Sequence, residues 1–217
     1  MKKWLEKVDW IYVIVPLALL GTFWVIAAFA GQWPWQSNPY NSYALQTDSW
    51  LKGRLDLGQN YEWLELAIYQ GKYFVSFPPF PSYVLIPFVI LFGTNTPDHF
   101  IALAVTIIGC IYAVKLYREA SAEKQHSLFW VLMLYFASGY LFVGMNGYVW
   151  FIAQSMSFTL SLMALYYTLR NKGGLALTFW ACAVGCRPML ALYGILLGYL
   201  LVKGYKKENP KGTVWQL

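Results

Sequence analysis

The side chains that could do chemistry stand out because so little of this chain is charged. Four acids, Asp48, Asp56, Glu62 and Glu65, fall within one aromatic-rich stretch between apolar runs. A carboxylate held at a dry boundary between such a stretch and a helix bundle suits a general base, because partial desolvation raises its pKa toward working pH. Arg187 is flanked on both sides by apolar sequence, where a charge is costly unless it is paired or reaches an interface. There it either snorkels to lipid phosphate or grips the phosphate of a bound lipid through a bidentate contact. The sequence has no Gly-rich phosphate loop, HExxH helix, paired histidines or Ser elbow. His99 and His126 stand alone at segment ends and read as boundary residues, and Cys110, Cys182 and Cys186 read as small packing residues.

The elements that position these groups follow from composition. Of 217 residues 59% are hydrophobic and only 12% are charged, and the mean hydropathy is +0.45. That charged share is about half of a soluble domain's, so a single water-soluble core is excluded. Lipid leaves exposed backbone no water partner, which makes the apolar runs helices. They read as Trp10 to Ala30, Pro97 to Tyr117, Ser127 to Val143, Val149 to Leu169, Leu175 to Cys186 and Met189 to Val202. The first is an uncleaved signal anchor by its length, and Pro188 splits the last two by disfavouring helix at Arg187.

The net charge of +6 comes from short basic clusters beside apolar runs, a pattern of membrane orientation rather than nucleic-acid binding. Six crossings place Lys2, Lys3 and Lys7, then Lys115, Arg118 and Lys124, then Arg170 and Lys172, then Lys203, Lys206, Lys207 and Lys211 in the cytoplasm. Lys52, Arg54, Lys72 and Arg187 remain outside. The expected architecture is an all-α, polytopic bundle of about six spans in the inner membrane, with both termini cytoplasmic. Its single membrane domain divides into a first transmembrane helix (1–30), a long external loop (31–96), the helix bundle (97–203) and a cytoplasmic tail (204–217).

The loop reads as structured. Tyr43 to Leu57 suits a surface helix carrying Asp48 and Lys52 one turn apart. A second short helix is expected from Asn60 to a closing Gly71, with Trp63, Leu64, Ala67 and Ile68 on one face. Ser82 to Phe92 is too short to span and reads as an interfacial or re-entrant helix. The tryptophans and tyrosines read as headgroup-level anchors, with a sugar platform the sharper alternative for one or two of them.

Four stretches together resemble the GT-C superfamily of membrane glycosyltransferases, over roughly residues 1 to 205. They are Gln46-Thr47-Asp48-Ser49-Trp50 after the first helix, the run Gly71-Lys72-Tyr73-Phe74-Val75-Ser76-Phe77-Pro78-Pro79-Phe80-Pro81, Leu91-Phe92-Gly93, and the Cys186-Arg187-Pro188 turn. The chain is similar to a truncated or minimal member. The resemblance implies transfer of a sugar from a polyprenyl-phosphate donor to an acceptor outside the membrane. It makes Asp48 the general base, Glu65 a second candidate acid, and Arg187 a contact to the lipid phosphate, with Lys52, Arg54 and Lys72 adding phosphate contacts. The departing phosphate needs positive charge from arginine, lysine or a divalent metal. Two other functions fit the same residues: an inactive relative that binds a polyprenyl lipid or a membrane-protein partner, and a small transporter, for which Asn146 and Gln154 are the polar candidates.

Overall fold

Three apolar runs form helices long enough to cross a membrane: α1 (Ile11–Ala30, 20 residues), α4 (Asp98–Ala120, 23 residues) and α7 (Val149–Leu169, 21 residues). At 1.5 Å per residue each covers the roughly 30 Å of a hydrocarbon core. The computed structural model describes residues 9–31 and 33–204. The expected cytoplasmic lysines Lys2, Lys3, Lys7, Lys206, Lys207 and Lys211, and nearly all of the tail, lie outside the described residues.

Helix α1 buries one stripe, Ile11, Val15, Leu19, Phe23 and Ala27, and leaves Leu17, Val25 and Phe29 exposed. The lower part of that stripe packs with Cys110, Ala113 and Val114, and the upper part with Leu103 and Met145, so α1 runs antiparallel to α4. Helices α4 and α7 run in the same direction. Thr159 Oγ1 donates to the Val105 carbonyl at 3.1 Å, the Tyr112 and Tyr167 hydroxyls lie 3.1 Å apart, and Arg170 reaches Glu119 at 3.5 Å.

The run expected as one span from Ser127 to Val143 is two helices, α5 (Ser127–Phe136) and α6 (Tyr140–Met145). Ser138 is the reason: its hydroxyl donates to the Leu134 carbonyl at 2.6 Å and accepts from the Tyr140 amide at 3.1 Å. With Gly139 beside it, this makes a Gly/Ser kink. Helix α8 (Gly173–Cys186) ends at Arg187, whose extended backbone precedes Pro188 as its proline neighbour requires. A 3-10 segment (Pro188–Leu192) then leads into α9 (Tyr193–Lys203). Trp180 packs over Gly194 where α8 and α9 meet, while no side chain approaches Gly198.

The stretch between α1 and α4 folds into a roof over one end of the bundle. Helix α2 (Ser42–Leu51) is shorter than expected, but Lys52 Nζ does reach Asp48 Oδ2 at 2.6 Å. Helix α3 (Phe80–Phe92, 13 residues) packs Leu85 and Val89 inward and leaves Ile90, Leu91 and Phe92 exposed. Between them the expected helix from Asn60 to Gly71 is absent. A β-hairpin takes its place, β1 (Leu66–Tyr69) paired with β2 (Lys72–Val75) in the register Leu66↔Val75 to Tyr69↔Lys72. Gln70 and Gly71 both have positive φ, 49° and 73°, as a two-residue type I′ turn requires. Gly71 is therefore a hairpin turn and not a helix cap, and the aromatic and branched residues around it favour strand.

Hydrogen bonds dock the roof on the bundle. Asn38 Nδ2 donates to Asp98 Oδ2 at 2.8 Å and to the Gly147 carbonyl at 3.3 Å. His99 is a buried acceptor there, taking the Gly147 amide at 3.1 Å. A Cβ on Gly147 would run into the Asp98 and His99 backbone, so glycine permits the close approach.

Candidate functional site

The six residues singled out for chemistry fall into two groups. Asp48, Lys52 and Arg54 line one polar cavity of about 200 Å³, together with Ser49, Gln59 and Tyr61. All of its walls come from the single stretch 45–61. Asp48 is only partly exposed and paired with Lys52; Lys72 lies nearby in the chain fold, 3.9 Å from Asp56. Each carboxylate in this group faces a lysine.

Glu65 and Arg187 meet elsewhere, at Trp150 in the first turn of α7. The Trp150 indole N–H donates to Glu65 Oε2 at 3.3 Å, and the Trp150 carbonyl accepts from Arg187 Nη2 at 2.6 Å. Local folding explains why each side chain arrives there. Glu65 immediately precedes β1 and is anchored by its own carbonyl, which accepts from Ser76 at 2.9 Å. Arg187 is presented where Pro188 forces the chain out of helix. Trp150 is steadied by Tyr40, whose ring lies 5.3 Å away and whose carbonyl accepts from the Val149 amide at 3.1 Å.

Tyr43, one turn after Tyr40, closes the seam between roof and bundle. It is 2% exposed and packs in a cluster with Ala102, Ile152, Ala153 and Cys186. Burial pushes its phenol well above the ordinary tyrosine value, and the nearby Arg187 charge pulls weakly the other way. Arg187 is half-buried and, among the described residues, has no carboxylate within ion-pair distance. Its Nε is buried without a partner.

Asp48 does not share its cavity with Arg187. Five positions separate Asp48 from Tyr43, about 140° around α2, so the helix turns Tyr43 to the seam and Asp48 away from it. Among the described residues no three His, Cys, Asp or Glu side chains converge as a metal-ligand set, and Asp48 and Glu65 are each engaged by a protein donor.

Sequence reasoning missed Tyr40, Tyr43 and Trp150 as site residues. The two tyrosines were counted as headgroup anchors and the tryptophan as part of a span. Their composition carries no signal that separates them from the other aromatics. No protein-family model, curated protein or solved structure matches the chain.

Proposed function

We propose that this chain transfers a sugar from a polyprenyl-phosphate donor to a hydroxyl acceptor at the outer face of the inner membrane. The observation that carries the reading is Trp150, which holds a carboxylate, Glu65, and an unpaired guanidinium, Arg187, at opposite ends of one residue. The reading takes α1, α4, α5 with α6, α7, α8 and α9 as six crossings, of which α1, α4 and α7 have the length of a full span. Lys115, Arg118, Arg170, Lys172 and Lys203 gather at one end of the bundle, a bias that supports an orientation with the roof outside.

In the transfer, the acceptor oxygen attacks the anomeric carbon and its proton passes to Glu65. The bond from that carbon to the phosphate oxygen breaks with its electron pair going to the phosphate. Arg187 offsets the charge that develops there, and polyprenyl phosphate leaves. The Asp48, Lys52 and Arg54 cavity adds a second charged surface on the roof, with Lys72 beside it.

The test is transfer of label from a radiolabelled polyprenyl-phosphate hexose in membranes carrying the chain. Glu65→Gln should lower the rate on the order of 100-fold or more. If Asp48→Asn abolishes transfer and Glu65→Gln does not, Asp48 is the base and the seam assignment falls. A second reading, a lipid-binding protein without turnover, is favoured by the separation of Asp48 from Arg187. It takes over if the chain binds the donor and no variant-sensitive transfer is detected.

A further inference from the structure

Two side-chain atoms in the seam are buried with no partner, the Tyr43 hydroxyl and Arg187 Nε. They come from distant parts of the chain, yet two ties bring them to one place. Tyr40, one turn before Tyr43, packs its ring at a tilt against Trp150, whose carbonyl holds Arg187 Nη2. Tyr43 also packs in the buried cluster that contains Cys186, the residue before Arg187. The chemistry of the two atoms is complementary, because Nε–H can only donate and a phenol oxygen can accept. Leaving either unpaired in a buried site is destabilising.

A guanidinium offers two usable edges: Nε with Nη2, and Nη2 with Nη1. We propose that Tyr43 is a positioning residue for phosphate recognition: when ligand binds, its oxygen, not bonded to Nε in the structure, takes Nε while the Trp150 carbonyl keeps Nη2. One edge of Arg187 is then occupied by the protein, and the Nη1–Nη2 edge is presented to the ligand, a role that rests on the lipid-phosphate reading of Arg187. Nη1 has no hydrogen bond to another described residue and is not among the fully buried unpaired atoms, so its donors are unused and not wholly enclosed. The group it fits carries at least two unesterified oxygens on one phosphorus, as a lipid phosphomonoester (three) or a sugar phosphodiester (two) does.

The experiment is binding of polyprenyl phosphate, and separately of the uncharged polyprenol, to the full chain in lipid nanodiscs. Tyr43→Phe removes one oxygen and keeps the packed ring. It should weaken polyprenyl phosphate roughly tenfold and leave polyprenol unchanged. In an Arg187→Gln background the same change should have no further effect, since the two residues act through one interaction. Equal weakening of both lipids, or unchanged binding of the phosphate lipid while Arg187→Gln loses it, overturns the role of Tyr43 alone. Wild-type affinity in Arg187→Gln overturns the phosphate reading and the Tyr43 role together. Inorganic phosphate that competes as strongly as the lipid would overturn the lipid as ligand.

Discussion

The cavity at Asp48 and the seam at Trp150 sit on the same roof but are built in opposite ways. The cavity is local, made from residues 45–61, and its one acid, Asp48, is paired with Lys52. The seam is assembled from the start of α2, the approach to β1, the first turn of α7 and the end of α8, and its one cation is unbalanced. A paired lysine and aspartate on a solvated surface contribute little and attract little. The Arg187 guanidinium beneath the roof has no carboxylate partner among the described residues, and that arrangement exists only while roof and bundle are docked.

Breaking the docking should therefore separate the two most sharply. Gly147→Ala forces a Cβ against the Asp98 and His99 backbone. The expected result is a thermal midpoint in detergent lower by roughly 5–10 °C, with polyprenyl-phosphate binding lost. An unchanged midpoint would mean that this contact does not hold the roof.

A smaller effect is expected from Trp150→Phe, which deletes the indole donor to Glu65 but keeps a ring against Tyr40 and the carbonyl that holds Arg187. Sugar transfer should fall about fivefold while affinity for polyprenyl phosphate stays the same. A matching fall in affinity would show that Glu65 and Arg187 are not separable.

Asp48→Asn probes the local cavity and should change polyprenyl-phosphate affinity by less than about twofold. A larger loss would join the cavity to the seam as one site.

The least effect belongs to a balanced pair at the far end of the bundle. Arg118, hydrogen-bonded to Asp9, holds that carboxyl below the usual carboxylate range. A lowered folded value stabilises above the unfolded carboxylate pKa of about 3.9 and ceases to do so as the pH falls through the folded value. Asp9→Asn should thus lower the midpoint slightly at neutral pH and not at all in strong acid. A difference that grows with acidity would reverse the sign and remove the pair as a stabilising tie.

The long helices were legible because apolar runs in a charge-poor chain have few alternatives. The break at Arg187 was legible too, since proline acts on its neighbour whatever the tertiary context. The hairpin was not. Asn60, Glu62 and Gly71 fit helix caps and charges as well as turn residues, and only the pairing of Leu66 with Val75 decides between them. The split of α5 from α6 was hidden because Ser138 and Gly139 sit inside an otherwise apolar run. Asp48 with Lys52 was readable as neighbours on one helix turn. The seam was not, because no spacing rule links residues 43, 65, 150 and 187 until four elements have packed.

The reach of the Asn38 to Gly147 hydrogen bond, 109 residues, also sets a timetable for making the protein. At roughly 5–20 residues per second, the roof emerges on the order of 5–20 s before the glycine that receives it has been synthesised. Through that interval its hairpin edge and its exposed tryptophans have no bundle to rest on, and Arg187 is made later still. The newborn chain therefore passes through a stage in which the roof is made but undocked, and is then most open to proteases and to chaperones.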